Sequence, residues 1–116
     1  MESPDWTEGF GAAITVCDAA GVVLSMNRAA VEVFAKDGGR TLIGKNILDC
    51  HSEPTRSMLA GMLKEPRANT YTVEKRGIKK LIHQAPWYRD GRCAGFVELS
   101  IVLPKEMAHR VRPEKP

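Results

Sequence analysis

No stretch of this 116-residue chain stays apolar for anything near the roughly 18 residues of a membrane-spanning helix. The opening Met1-Glu2-Ser3-Pro4-Asp5 has no apolar core of the secretory type. A cytoplasmic protein with no membrane partner is therefore expected. Cysteine is scarce. Cys17, Cys50 and Cys93 are an odd, scattered set without Cys-x-x-Cys spacing. That argues against a disulfide framework or a zinc knuckle and for reduced, partly buried thiols. Aromatic residues make up only 6%, and none interleaves with Lys or Arg on a strand face as base stacking requires. The formal net charge is only +3. The tail from Pro104 to Pro116 carries Lys105, Arg110, Arg112 and Lys115 against Glu106 and Glu114, so most of that charge lies outside the body. This is not the footprint of a nucleic-acid binder. Gly-x-Ser-x-Gly, a phosphate-binding glycine loop and His-Glu-x-x-His are all missing. No enzyme is expected.

What is present fits one domain with a modest core, since 43% hydrophobic and 27% charged residues are ordinary for a soluble globular chain. Residues 1–11 read as a lead-in with Trp6 and Phe10 as its apolar contacts. Residues 12–103 read as the domain and 104–116 as a polar, proline-containing tail. Ala12 to Cys17 and Val22 to Met26 are two short strands around Asp18-Ala19-Ala20-Gly21, where Asp bonds local backbone and Gly21 tolerates positive φ. Asn27 is an N-cap for a helix carrying Ala30, Val33 and Phe34, with a stop near Asp37-Gly38-Gly39. Leu42-Ile43-Gly44 is a short apolar knot with a break at Gly44, and Ile47-Leu48 forms one helical turn. A second helix starts at Ser52-Glu53-Pro54 and ends at Pro66. It carries the stripe Met58, Leu59, Met62 and Leu63. Thr70 to Val73, Ile78 to Tyr88 and Cys93 to Leu103 are strands, with a turn at Arg76-Gly77 and a hairpin at Asp90-Gly91. Pro86 cannot donate to a ladder, so the far end of its strand is an edge or a bulge. Hairpins at both ends, with helices between, predict an α+β fold with an antiparallel sheet whose first strand pairs with its last.

In this order and spacing the chain resembles a PAS domain. The likeness rests on the strand ending Cys17-Asp18, on Gly21, on Val22 to Leu24 and on Asn27-Arg28-Ala29-Ala30. It continues through Leu42-Ile43-Gly44-Lys45, the helix from Pro54, Pro86-Trp87-Tyr88-Arg89-Asp90-Gly91, and Gly95 in a strand. It covers roughly Gly11 to Leu103. The resemblance implies a five-stranded antiparallel sheet with small helices on one face and a pocket between them. It also implies a sensory or interaction module that takes haem, flavin, small metabolites or nothing, and that commonly dimerises. The chain has no room for an effector domain, so a separate effector protein or an excised fragment is implied. Met1 and the proline-containing end favour a small complete protein. The Asn-Cys-Arg-Phe-Leu type of run seen in flavin-photoadduct relatives is missing, so a flavin photoadduct is not expected. Asn27, Gly21, Gly44, Asp90 and Gly91 carry structural roles.

The candidate ligand-binding residues are His51, His83, Met58, Met62 and Phe34. His51, in Cys50-His51-Ser52, lies just before a helix start, where the dipole disfavours imidazolium and leaves a neutral, metal-binding ring. The same field favours a thiolate at Cys50 and hence a thiol-based redox role. His51 is accordingly the candidate metal ligand should the cofactor be haem, and otherwise it caps or packs the helix end. His83 shares a strand face with Leu81, Ala85 and Trp87. It anchors a ligand if that face looks into the pocket, and otherwise it is satisfied on the sheet surface. Met58 and Met62 either fill the core or line an adaptable pocket. The expected function is a homodimeric or partner-binding sensory module holding a small, mostly apolar ligand. A haem or metal sensor through His51 and a ligand-free interaction module are the alternatives.

Overall fold

The computed structural model describes residues 5–115. Its elements are β1 (Ala13–Asp18), β2 (Val23–Met26), α1 (Arg28–Val33), 3-10 turns at Ala35–Asp37, Gly39–Leu42 and Ile47–Cys50, α2 (Thr55–Lys64), β3 (Asn69–Lys75), β4 (Ile78–Arg89) and β5 (Arg92–Val102). The five strands form one antiparallel sheet in the order β2-β1-β5-β4-β3. The first strand pairs with the last, as the terminal hairpins predict, and this brings both ends of the chain into the middle of the sheet.

The turns follow from their residues. Asp18 closes the β1–β2 turn by accepting through Oδ1 from the backbone N–H groups of Ala20 and Val22, at 3.0 and 2.9 Å. Asp90 and Gly91 both have positive φ, 52° and 77°, and join Arg89 directly to Arg92. This is the two-residue loop whose twist matches that of the strands, and it favours Asp, Asn or Gly. Arg76-Gly77 does the same between β3 and β4. Pro86 sits where its lost N–H costs least. β3 ends its pairing at Gln84, so beyond that point β4 has a neighbour only on the β5 side, and a bulge follows at Trp87/Tyr88.

α1 starts at Asn27, whose Oδ1 accepts from the Ala30 N–H at 3.0 Å. It is shorter than the pattern predicts. The Phe34 carbonyl accepts from both Asp37 N–H and Gly39 N–H, each at 2.9 Å, so the chain tightens into 3-10 turns after Val33. α2 begins one residue after Pro54 and carries Lys64 in its last turn, with Pro66 just beyond. Both helices lie on the same face of the sheet. Ala30 packs with Ala13, Val23 and Met26, while Leu59 and Met62 of α2 pack with Cys17 and Phe96. No helix among the described residues is long and apolar enough to cross a membrane.

Candidate functional site

The space between that sheet face and the helical segment is a cavity of about 920 Å³. This falls in the size range of small-molecule sites, roughly 300–1,000 Å³. Its walls come from β2, the segment from Phe34 to His51 and α2, and its floor is the sheet. Apolar side chains dominate: Met26, Phe34, Leu42, Leu59, Met62 and Phe96 all line it.

Strand register shows what the floor carries. Thr15 of β1 faces Glu98 of β5, Glu98 faces Gln84 of β4, and Gln84 faces Asn69 of β3. Directly opposed residues in antiparallel strands share a face, so one polar row crosses four strands. On one side of it lies the apolar row Cys17, Phe96 and Pro86; on the other lie Ala13, Ser100, Ile82 and Tyr71. Gln84 is only 9% exposed, yet both ends of its amide are hydrogen-bonded. Gln84 Nε2 donates to Glu98 Oε2 at 2.8 Å, and Asn69 Nδ2 donates to Gln84 Oε1 at 3.2 Å. The carboxylate fixes the direction of this chain, because it only accepts when ionised. Gln84 must therefore present its NH₂ to Glu98, which leaves its oxygen for Asn69. Burial pushes the Tyr71 phenol up from its ordinary value, with the Glu98 charge adding to it. Burial likewise pushes the Cys17 thiol up.

The structure places the sequence candidates as follows. Phe34, Met58, Met62 and His51 all line the cavity. Met62 is 3% exposed and belongs to the core, whereas Met58 is 42% exposed and sits at the rim. His51 is exposed and follows the Ile47–Cys50 turn, with Ser52, Glu53 and Pro54 separating it from α2. The field of a helix end fades within one turn, and His51 stands outside the first turn of α2. A different contact orients it. His51 Nδ1 lies 2.8 Å from the Ile47 carbonyl, which only accepts, so Nδ1 carries the proton and Nε2 is left free. Cys50 is exposed, with Sγ 3.5 Å from the Asn46 carbonyl.

His83 lies elsewhere. It pairs with Leu99 and Thr70, one residue out of phase with Gln84, and so faces away from the cavity. Its Nδ1 is 2.7 Å from the Thr70 hydroxyl. The Leu81/His83 face is the outer face of the sheet. The polar side chains that the sheet presents to the cavity are Thr15, Gln84 and Glu98. Their signal in the sequence was the alternation Phe96-Val97-Glu98-Leu99-Ser100, which marks Glu98 as facing opposite to Leu99 but does not say which face the helices cover.

No protein-family model matches the chain, and no curated protein matches it. Its shape does have counterparts among solved structures. The PAS domain of BvgS from Bordetella pertussis is 22% identical, with a TM-score of 0.61 over 85% of this chain and 82% of that one. A sensory box sensor histidine kinase from Vibrio cholerae is 14% identical, with a TM-score of 0.61 over 84% and 85%. The Aer2 receptor from Vibrio cholerae, a dual PAS-heme oxygen sensor, is 19% identical, with a TM-score of 0.59 over 84% and 98%. At these identities the likeness concerns the fold. Strand order, hairpin placement and the helices on one face agree with it, and the chain has the PAS fold.

Proposed function

We propose that this chain is a sensory module that binds a small, mostly apolar ligand between sheet and helices and uses it to modulate a dimer or partner interface. The observation that carries this is the cavity, about 920 Å³ with apolar walls and one polar row across its floor. Such sites combine apolar bulk with few orienting polar groups. The residues proposed to contact the ligand are Phe34, Met58, Met62 and Phe96, with Gln84 and Glu98 as polar anchors.

The proposed interface is the outer sheet face. Ile14, Val16, Leu81, Leu99 and Ile101 are each half-buried there, and both helices lie on the other side. A contiguous apolar surface of this kind favours burial against a partner, either a second copy or a separate effector protein. A ligand acts on that interface only by favouring one of two sheet arrangements over the other. The floor residues and the interface residues alternate along the same strands, so a shift of β4 or β5 is felt on both faces.

Native mass spectrometry of the freshly purified protein tests this directly. The expected result is a small molecule retained by the folded chain and a dimer whose population changes when it is displaced. A dimer with no retained molecule, and no binding from a fragment library, would favour a ligand-free interaction module.

The orientation of His51 favours a second reading, in which the ligand is haem. His51 borders the cavity, and its Nδ1–H bond to Ile47 leaves Nε2 without a hydrogen bond among the described residues, the arrangement of a ligating histidine with its second nitrogen fixed. Among the described residues no group of three or more His, Cys, Asp or Glu stands close enough to hold a bare metal ion. A single axial nitrogen fits haem better than a free ion. A Soret band on haem addition that is lost in His51→Ala supports this reading, and no band in the wild type rejects it.

A further inference from the structure

We infer that the ligand of this cavity carries a cationic nitrogen, such as a protonated amine, on an apolar body, and that Glu98 is the group that receives it. The inference rests on the proposal that the cavity binds a ligand, and it names the chemical class.

Glu98 is half-buried in the middle of the floor. The polar row delivers donors to it from one direction only. Asn69 donates to Gln84, and Gln84 donates to Glu98 Oε2. The row thus ends on a carboxylate with spare acceptor capacity. The two ion pairs among the described residues, Arg40–Glu8 and Arg56–Asp49, lie elsewhere, so no Lys, Arg or His among those residues forms an ion pair with Glu98. Oε1 makes no hydrogen bond among the described residues and is not sealed from solvent.

Every other polar group of the row is committed or neutral. Gln84 uses both ends of its amide, and Thr15 on the far side of Glu98 brings no charge. The rest of the lining adds two acids and one base: Asp37 and Asp49 also border the cavity, against Lys45 as the one Lys or Arg lining it among the described residues. A carboxylate or phosphate head would meet Glu98 across a partly desolvated floor, where like charges repel strongly. An ammonium head would supply donors to Oε1 while its apolar body lies against Phe96, Leu59 and Met62. Charge-assisted bonds of that kind are roughly twice as strong as neutral ones.

The test uses the full chain, ¹⁵N-labelled, titrated at pH 7 with three probes of one shape: 2-phenylethylammonium, 2-phenylethanol and 3-phenylpropanoate. Amide shifts at Leu59, Met62 and Phe96 report occupancy. The ammonium probe should bind at least about five-fold tighter than the alcohol, as a partly screened ion pair gives, with the carboxylate weakest. Glu98→Gln keeps the size and the bond from Gln84, and it should erase the advantage of the ammonium over the alcohol. Should the alcohol or the carboxylate bind as tightly as the ammonium, or the advantage survive in Glu98→Gln, the inference fails and the cavity reading stands. If none of the three probes shifts those amides, both fail together. The ranking on the wild-type chain decides the matter even if the variant does not fold.

Discussion

A Cβ atom placed on Gly95 would lie 1.9 Å from the carbonyl oxygen of Cys17. Gly95 stands between Asp18 of β1 and Trp87 of β4 in the sheet register, with φ at +147°. The missing side chain does two things. It lets the backbones of β1 and β5 close, and it lets the Trp87 indole reach across β5 and donate from Nε1 to the same Cys17 oxygen at 3.1 Å. Gly95→Ala meets backbone atoms rather than a flexible side chain, so the strands must part. We expect a loss of at least about 2–3 kcal/mol, in line with other substitutions that force strain at special backbone positions. A urea melt followed by tryptophan fluorescence measures it, and an unchanged midpoint would contradict this packing.

Asn27 is the second clamp, and a more versatile one. Its Oδ1 accepts from Ala30 N–H at the start of α1 and from Ile14 N–H in β1, at 3.0 and 2.9 Å. Its Nδ2 donates to the carbonyls of Ala12 and Thr7, at 2.8 and 2.9 Å. Asn27 is 4% exposed and its bonds to Ala30 and Ala12 are buried, so at least those two partners lose their bond without gaining water if the side chain is cut back. Asn27→Ala should cost about 2–4 kcal/mol, combining a lost cap with unsatisfied buried groups. Asn27→Asp keeps the acceptor and loses both donors, so its melting temperature should fall between those of the wild type and Asn27→Ala.

The sequence made the strands and their partners legible because turn chemistry punctuates them. Asp18, Asp90 and Gly91 act locally, and local rules read them correctly. Asn27 was legible as a cap for the same reason, but its bonds to Thr7, Ala12 and Ile14 are tertiary and leave no local mark. The sidedness of the sheet was harder. Along β5 the alternation separates Val97, Leu99 and Ile101 from Glu98 and Ser100 without saying which set faces inward, and His83 on β4 is left open in the same way. The helices cover the face of Phe96 and Glu98, because Ala30, Leu59 and Met62 find Ala13, Cys17 and Phe96 there. The alternation along β5 is the same whichever face the helices cover, so periodicity alone leaves the sidedness of the sheet open.

Met58 and Met62 stand four residues apart on α2 and should separate under mutation. Met62 packs in the buried cluster with Cys17, Leu59 and Phe96, so Met62→Ala should destabilise the fold by about 2–4 kcal/mol, as other core truncations to alanine do. Met58 is exposed at the cavity rim, and Met58→Ala should cost less than about 1 kcal/mol. The rim variant should nevertheless weaken binding of 2-phenylethanol, measured by the same amide titration. Equal stability losses in the two variants would place Met58 in the core instead.

Cys17 makes a prediction about alkaline pH. Burial is the main cause that raises its thiol above the ordinary value of 9.0, with the charges of Asp18, Cys93 and Glu98 adding to it and a backbone bond from Phe96 opposing it. In the unfolded chain the thiol ionises near its ordinary value, while in the folded chain it stays protonated to higher pH. The folded state therefore binds more protons in that window. Stability from this group is fully present below about pH 9 and declines as pH rises through the folded value. Urea midpoints measured under reducing conditions from pH 7 to 10 should fall at the alkaline end, and Cys17→Ala should flatten that fall while lowering stability at pH 7. The same burial sets the order of thiol modification. Iodoacetamide at pH 8 should label exposed Cys50 well before Cys17 in the folded chain, and the two should react alike only after denaturation.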